Sequence, residues 1–187
     1  MIRQFRSNKA MTLVELILAI VLLNVVILTG LSMELGMRRI FSSTDLEAQL
    51  LAETVPIILK VTRDINQAVG DVTNVSNYAY TYIPSGGYNR YLIRSDMNFN
   101  GLADSGDRFA EYRYAPSTYI LEFRPDSTSG GYTLLSDRVT AFSISPAVNG
   151  TSSISVTLRK DASLVANYTN PQITLNSNAQ YRGYSYN

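Results

Sequence analysis

The chain has 187 residues, with 16 lysines and arginines against 15 acidic residues, and a formal net charge of +1. Such a balance, without a clustered basic face, argues against a nucleic-acid-binding protein. Cysteine and histidine are both absent. Disulfides, a lipid-modified cysteine, thiol catalysis and Ser-His-Asp chemistry are therefore excluded, and zinc lacks its usual ligands. No other grouping of residues suggests a catalytic site, so we expect a protein without enzymatic activity.

The first 33 residues have the pattern of a membrane anchor. Residues 1–10 contain Arg3, Arg6 and Lys9 and no acidic residue, and an apolar segment follows from Met11 to Met33. A helix of that length spans about 35 Å, enough to cross a bilayer. The basic residues predict a cytoplasmic N-terminus, with the chain after Met33 on the other side. A secretory signal peptide cleaved near Met33 and a plain signal anchor are two alternative interpretations.

Glu15 is the residue that neither alternative explains. It is the only charged residue between Lys9 and Glu34. A carboxylate at membrane depth costs roughly 2.5–3.5 kcal/mol on insertion scales, so such a residue indicates a function.

The helical pattern continues beyond the apolar segment. Further residues recur at alternating spacings of four and three, as on one face of an amphipathic helix: Thr44, Ala48, Leu51, Val55, Ile58, Thr62, Ile65 and Val69. Gly70 and Asp71 supply a stop signal. We therefore predict one long helix over 11–69, with its transmembrane part at 11–33. Pro56 removes a backbone hydrogen bond and predicts a bend near Ala52 and Glu53.

After Gly70 the pattern changes to period two, which predicts β-strands. The predicted strands are 78–83, 88–94, 108–114, 118–124, 132–135, 139–145, 153–160 and 173–175. We therefore predict an α+β fold in which the outer half of the long N-terminal helix packs against an antiparallel β-sheet. This β-rich head occupies 70–187 and ends in a polar tail, Asn176–Asn187, that we expect to be irregular.

The segment from Asp96 to Asp107 matches a twelve-residue calcium-binding loop at positions 1, 3, 5, 6, 9 and 12. Gly101 would allow the sharp turn, and the predicted ligands are the side chains of Asp96, Asn98, Asn100, Asp104 and Asp107 and the carbonyl of Leu102. The flanking segments are predicted strands, whereas an EF-hand has helices there. The alternative is a polar loop that only turns the chain.

The run Ala10-Met11-Thr12-Leu13-Val14-Glu15-Leu16-Ile17 lies between a basic leader and a long apolar helix that precedes a β-rich head. This arrangement resembles the type IV pilin superfamily. The head, with its Asp-Asn-Asn-Gly loop and tyrosine-rich strands, is most similar to the PilW/PulJ group of minor pilins and pseudopilins. The chain departs from the family pattern where Ala10 replaces the common Gly and Met11 replaces the common Phe.

The resemblance implies how the N-terminus is processed and used. A prepilin peptidase would cut between Ala10 and Met11, removing residues 1–10, and would methylate the new amine of Met11. Glu15 of one subunit would then neutralise the Met11 amine of its neighbour in a filament. The implied partners are this peptidase, inner-membrane lipid and other pilin or pseudopilin subunits. The chain would begin as a single-pass protein of a bacterial inner membrane and end in a filament that spans the periplasm or reaches the cell surface.

Three functions remain open from the sequence. The first is a minor pilin-like structural subunit of a type IV pilus-type filament. The second is a pseudopilin of the filament that acts as a piston in type II secretion. The third is a membrane-anchored calcium-binding adhesin that never polymerises and keeps residues 1–10.

Overall fold

The structure, a computed structural model, describes residues 12–70, 80–97, 101, 103–145 and 151–181. Over these ranges the chain forms one α-helix and eight β-strands. The elements are α1 Leu13–Asn66, β1 Tyr80–Ser85, β2 Tyr88–Ser95, β3 Arg108–Ala115, β4 Ile120–Arg124, β5 Thr133–Ser136, β6 Val139–Ile144, β7 Thr151–Arg159 and β8 Gln172–Gln180. A long apolar N-terminal helix followed by antiparallel sheets confirms the predicted α+β class.

The chain divides into two compact units, Met1–Ser42 and Ser43–Asn187, and α1 contributes to both. In the first unit every described residue is exposed. By length and composition α1 is a helix that could cross a membrane.

The hydroxyl groups in the apolar part of α1 bond to carbonyls of the same helix. The Thr29 hydroxyl donates to the Val25 carbonyl (2.9 Å) and the Ser32 hydroxyl donates to the Thr29 carbonyl (2.9 Å). These hydroxyls are therefore satisfied within the helix, as they would need to be in a helix that crosses a membrane.

The second unit contains two antiparallel sheets, where the sequence predicted a single sheet. One has the strand order β1-β2-β3-β4-β5 and the other β6-β7-β8. The chain leaves the first sheet after Ser136 and enters the second at Val139, with only Asp137 and Arg138 between them. The strand positions agree closely with the sequence pattern. The division into two sheets does not follow from that pattern, because periodicity places a strand but does not choose its partner.

The buried face of α1 differs from the predicted one. Ile58 and Ile65 are buried as expected, but Leu51 and Val55 are 40% and 39% exposed. The residues of α1 that are buried are Leu50, Thr54, Ile57, Ile58, Val61, Asp64 and Ile65. This face is turned by about a quarter of a helical turn from the predicted one. The prediction was wrong because apolar residues cover more than half of the circumference of this part of α1, so periodicity alone could not identify which apolar side is buried.

The buried face of α1 shares one hydrophobic core with both sheets. Hydrogen bonds from tyrosine hydroxyls connect the helix and the two sheets around this core. The Tyr112 hydroxyl on β3 donates to Asp64 Oδ2 on α1 (2.6 Å). Tyr80 and Tyr91, on β1 and β2, donate to the carbonyls of Ile144 and Phe142 on β6 (2.7 and 3.0 Å). Several buried tyrosines therefore join separate layers, because each carries an apolar ring and a hydroxyl that needs a partner.

The C-terminal part of the head is more ordered than the sequence predicted. Asn176–Gln180 belong to β8, which pairs with β7 along its whole length. Tyr181 is 2% exposed, and its hydroxyl is 2.8 Å from the Ser152 hydroxyl. The prediction of an irregular tail from Asn176 is wrong as far as Tyr181, because alternate small side chains allowed a strand that the polar composition concealed. Residues 182–187 lie outside the described ranges.

The Tyr112–Asp64 hydrogen bond gives a stability prediction. Tyr112 is fully buried and Asp64 is 8% exposed, and hydrogen bonds to charged groups contribute about 1.5–3 kcal/mol. We expect Tyr112→Phe to lower the free energy of unfolding by about that amount, measured by urea denaturation of the full chain in detergent. Tyr168→Phe, at a site 64% exposed, is the control and should change it by no more than about 0.5 kcal/mol. Equal changes in the free energy of unfolding for the two substitutions would contradict a stabilising role of the Tyr112–Asp64 hydrogen bond.

Candidate functional site

The N-terminus of α1 carries the first predicted site. Ala10 and Met11 lie outside the described residues, and Thr12 directly precedes the helix. The Thr12 N–H and hydroxyl both donate to Glu15 Oε2 (2.8 and 3.0 Å), and the Glu15 N–H donates to Thr12 Oγ1 (3.3 Å). Thr12 is thus the N-cap and Glu15 the third residue of a capping box.

This capping box gives Glu15 a structural role that the sequence analysis missed. The signal was present as the spacing Thr-x-x-Glu before an apolar run, a pattern typical of a helix start. Glu15 satisfies the N–H of Thr12, which would otherwise lack a partner at a helix end. A cap does not require a charge, however, since glutamine serves the same position. The choice of glutamate in an apolar segment therefore still requires an explanation.

The second predicted site is the connection between β2 and β3. Asn98, Asn100 and Leu102 lie outside the described residues, while Asp96, Gly101, Asp104 and Asp107 are described. Gly101 has φ 75°, a left-handed conformation that glycine adopts without strain. Its N–H donates to Asp96 Oδ2 (2.8 Å). The first and sixth positions of the predicted loop are therefore brought together.

The last third of this loop is held by a second set of hydrogen bonds. Asp107 Oδ2 accepts from the Asp104 N–H (2.9 Å), and Asp104 Oδ1 accepts from the Gly106 N–H (2.8 Å). Within the described ranges, no group of three or more His, Cys, Asp or Glu side chains is arranged to hold a metal ion. Asp96 Oδ1 and Asp107 Oδ1 are nevertheless buried, and each lacks a hydrogen-bond partner in the described part of the chain.

A third cluster, which the sequence analysis did not identify, lies on the face of the five-stranded sheet opposite the core. Glu111 on β3 is fully buried and accepts from Arg90 on β2 and Arg124 on β4 (2.5 Å each) and from the Tyr132 hydroxyl (2.9 Å). The neighbouring Arg113 forms a similar pair with Glu122. An acidic and a basic residue stand two positions apart on each of β3 and β4, which is the signal that could have predicted pairs between these strands.

The surroundings of Glu111 determine its protonation. Burial alone would raise the pKa of this carboxyl, but hydrogen bonds from Arg90, Arg124 and Tyr132 outweigh it and lower the pKa from its ordinary 4.5 to about 2. A general acid or base needs a pKa near the working pH. Glu111 is therefore a structural carboxylate that joins three strands.

The pKa of Glu111 predicts how stability depends on pH. Because folding lowers this pKa, the ionised group stabilises the fold above pH 4.5, and that stabilisation is lost as pH falls from 4.5 towards about 2. We expect Glu111→Gln to be less stable than the wild type at pH 7, with a difference that shrinks over this acidic range. Urea denaturation between pH 2 and 7 measures both curves. Glu47→Gln, at an exposed position on α1, is the control. If Glu111→Gln differed from the wild type in stability by the same amount at every pH, the ionised Glu111 would not have the stabilising role described.

Comparison with known proteins identified no relative of this chain. No protein-family model, no curated protein and no solved structure matches the chain. The residues and their geometry are therefore the basis for any functional conclusion.

Proposed function

We propose that this protein is a minor pilin-like structural subunit. Prepilin peptidase would cleave it between Ala10 and Met11 and methylate Met11, and the processed chain would enter a type IV pilus-type filament through α1. Before processing it would be a single-pass protein of the bacterial inner membrane, with residues 1–10 in the cytoplasm. Its role in the filament would be structural, without enzymatic activity.

The observation that carries this proposal is a single acid near the start of the apolar stretch of α1 up to Met33, whose described residues are all exposed. Glu15 is the only charge between Lys9 and Glu34, and the described residues on either side of it expose their apolar side chains. Such a surface needs lipid or protein around it. A carboxylate in those surroundings is costly unless a cation pairs with it.

The capping box supports a particular role for Glu15. Its Oε2 accepts two hydrogen bonds from Thr12, which leaves the other carboxylate oxygen for a further partner. Cleavage after Ala10 would create a cationic amine at Met11, next to Thr12 in the sequence. A neighbouring subunit's amine would neutralise the carboxylate and fix the axial register of the two helices. The cap would hold the acid in place for that contact.

The part of α1 in the second unit supports a protein partner as well. Leu51, Val55 and Leu59 follow one another at intervals of four residues and are 40%, 39% and 62% exposed. Side chains at this spacing share one face of a helix. This face differs from the one that the two sheets cover. An apolar stripe left open on a folded head is typical of a surface that another protein buries.

Processing gives the first prediction of this proposal. Co-expression with a prepilin peptidase should yield a chain that begins with N-methylated Met11, whereas expression alone should yield intact residues 1–10. Mass spectrometry of the N-terminus measures both species. A peptidase lacking its catalytic residues is the control. An intact leader in both samples would instead support a plain anchor or a non-polymerising adhesin.

The second prediction separates the charge of Glu15 from its capping role. Glu15→Gln keeps a capping side chain but removes the charge, and we expect it to insert and be processed normally. Its incorporation into filaments should fall on the order of tenfold or more, if pairing offsets a membrane cost of a few kcal/mol. Immunoblotting of sheared filaments measures incorporation against the membrane fraction.

Two variants control this experiment. Thr12→Ala weakens the cap by about 1 kcal/mol but keeps the charge, so it should still be incorporated. Glu34→Gln removes an acid that pairs with Arg38 at 2.6 Å, outside the apolar segment, and should behave as the wild type. Normal incorporation of Glu15→Gln would rule out the charge pair. Equal loss in Thr12→Ala and Glu15→Gln would assign the effect to the cap.

A further inference from the structure

In the described part of the head, two carboxylate oxygens are buried without a hydrogen-bond partner. They are Oδ1 of Asp96, a residue only 8% exposed, and Oδ1 of Asp107. The second oxygen of each side chain accepts an N–H from the loop between them, from Gly101 and Asp104 respectively. Each side chain is therefore held to the loop by one oxygen, while its other oxygen is buried without a partner among the described residues. Buried charged oxygens without partners are rare, because each forfeits its solvation.

The two carboxylates also lie at adjacent positions. Ser95, the last residue of β2, pairs with Arg108, the first residue of β3, so Asp96 and Asp107 are the two residues next to this last strand pair. Like charges at adjacent cross-strand positions repel each other. Among the described residues, neither aspartate forms an ion pair with a basic side chain. Arg94, two residues before Asp96, lies instead over the ring of Phe109, 4.9 Å from its centroid. The protein supplies no cation for this pair in its described part.

We propose that Asp96 and Asp107 bind a calcium ion through these two oxygens. A divalent cation removes the repulsion and gives each orphaned oxygen a partner at once. The pair stands at the first and twelfth positions of the loop, and Gly101 at the sixth position has the positive φ that a tight calcium loop requires. The proposal is independent of filament assembly, because all of its residues belong to the second unit.

The chemistry of the loop favours calcium over other divalent ions. Its ligands are oxygens, with no histidine or cysteine in the chain to attract zinc or copper. Calcium accepts 6–8 oxygens in a flexible arrangement that includes carbonyls, amides and water. It therefore does not require three clustered carboxylates. Magnesium demands a near-ideal octahedron and releases its water reluctantly, whereas calcium tolerates the irregular set of oxygens that a loop offers.

Calcium titration of the full chain in detergent tests the proposal. We expect saturable heat by isothermal calorimetry with a Kd in the range of about 0.1–1 mM, as in extracellular calcium modules, and a rise in Tm that EDTA reverses. Asp96→Asn and Asp107→Asn keep an oxygen to accept the Gly101 and Asp104 N–H, so both variants should fold. Each should weaken calcium binding at least about tenfold, since loss of even an outer-shell partner of a metal ligand typically costs about 10–100-fold. Asp137→Asn, at an exposed position of the same unit, should bind as the wild type does.

A comparison with and without calcium separates a ligand from a structural residue. Asp107→Asn removes the like-charge repulsion, so in EDTA it should melt at or above the wild-type Tm, whereas in calcium it should melt below it. A lower Tm by the same amount in both conditions would assign Asp107 a purely structural role and overturn the proposal. Absence of calcium-dependent heat and of a Tm shift in the wild type would overturn it too. Calcium binding that is unchanged in both Asp96→Asn and Asp107→Asn would also overturn the proposal.

Discussion

The head depends on the burial of one face of α1 between Leu50 and Ile65. Both sheets contribute to the core around this face, so its apolar residues hold together strands that are not paired with one another. Thr54 and Asp64 also lie on it, and burial of a polar group is tolerated only when a partner is present. Thr54 donates to the Leu50 carbonyl (2.6 Å) and Asp64 accepts from Tyr112. Thr54 is therefore satisfied within α1, Asp64 links this face to β3, and the apolar residues supply most of the burial.

The same helix is apolar on sides that the head does not cover. In its second-unit part, Leu51, Val55 and Leu59 are exposed, and in its first-unit part all described side chains are exposed. A helix that served only as a core element would have a polar outer face. The sequence of α1 is thus suited to two kinds of contact, one within the chain and one with lipid or another protein. This property makes an assembled subunit a better proposal for the protein than a free-standing anchored domain.

The carboxylates of this protein differ in which partners compensate their charge. This difference distinguishes a structural acid from the acids to which we assign external partners. Glu111 has two arginines and a tyrosine as partners, so its charge is fully compensated within the sheet. Glu15 has hydrogen bonds from Thr12 but no cation of its own among the described residues. Asp96 and Asp107 each retain a buried oxygen without any partner there. The uncompensated acids are the ones to which we assign external partners: a subunit amine for Glu15 and calcium for the aspartates.

Local sequence patterns are enough to locate most elements of this fold. The apolar run and the change from helical to period-two spacing placed α1 and all strands except the end of β8 within a few residues of their observed bounds. It also singled out Glu15 and the Asp96–Asp107 loop. These features follow from local patterns, because backbone geometry repeats every 3.6 residues in a helix and every two in a strand.

Which of these elements and residues meet depends on the tertiary fold. It divided the strands into two sheets, selected the buried side of α1, and extended β8 through a polar segment. It also brought Arg90, Glu111 and Arg124 together from three strands. A one-dimensional pattern does not contain these choices, since each depends on which distant surfaces exclude water from one another. The same holds for the orphaned oxygens of Asp96 and Asp107, whose burial is a property of the folded loop and not of its sequence.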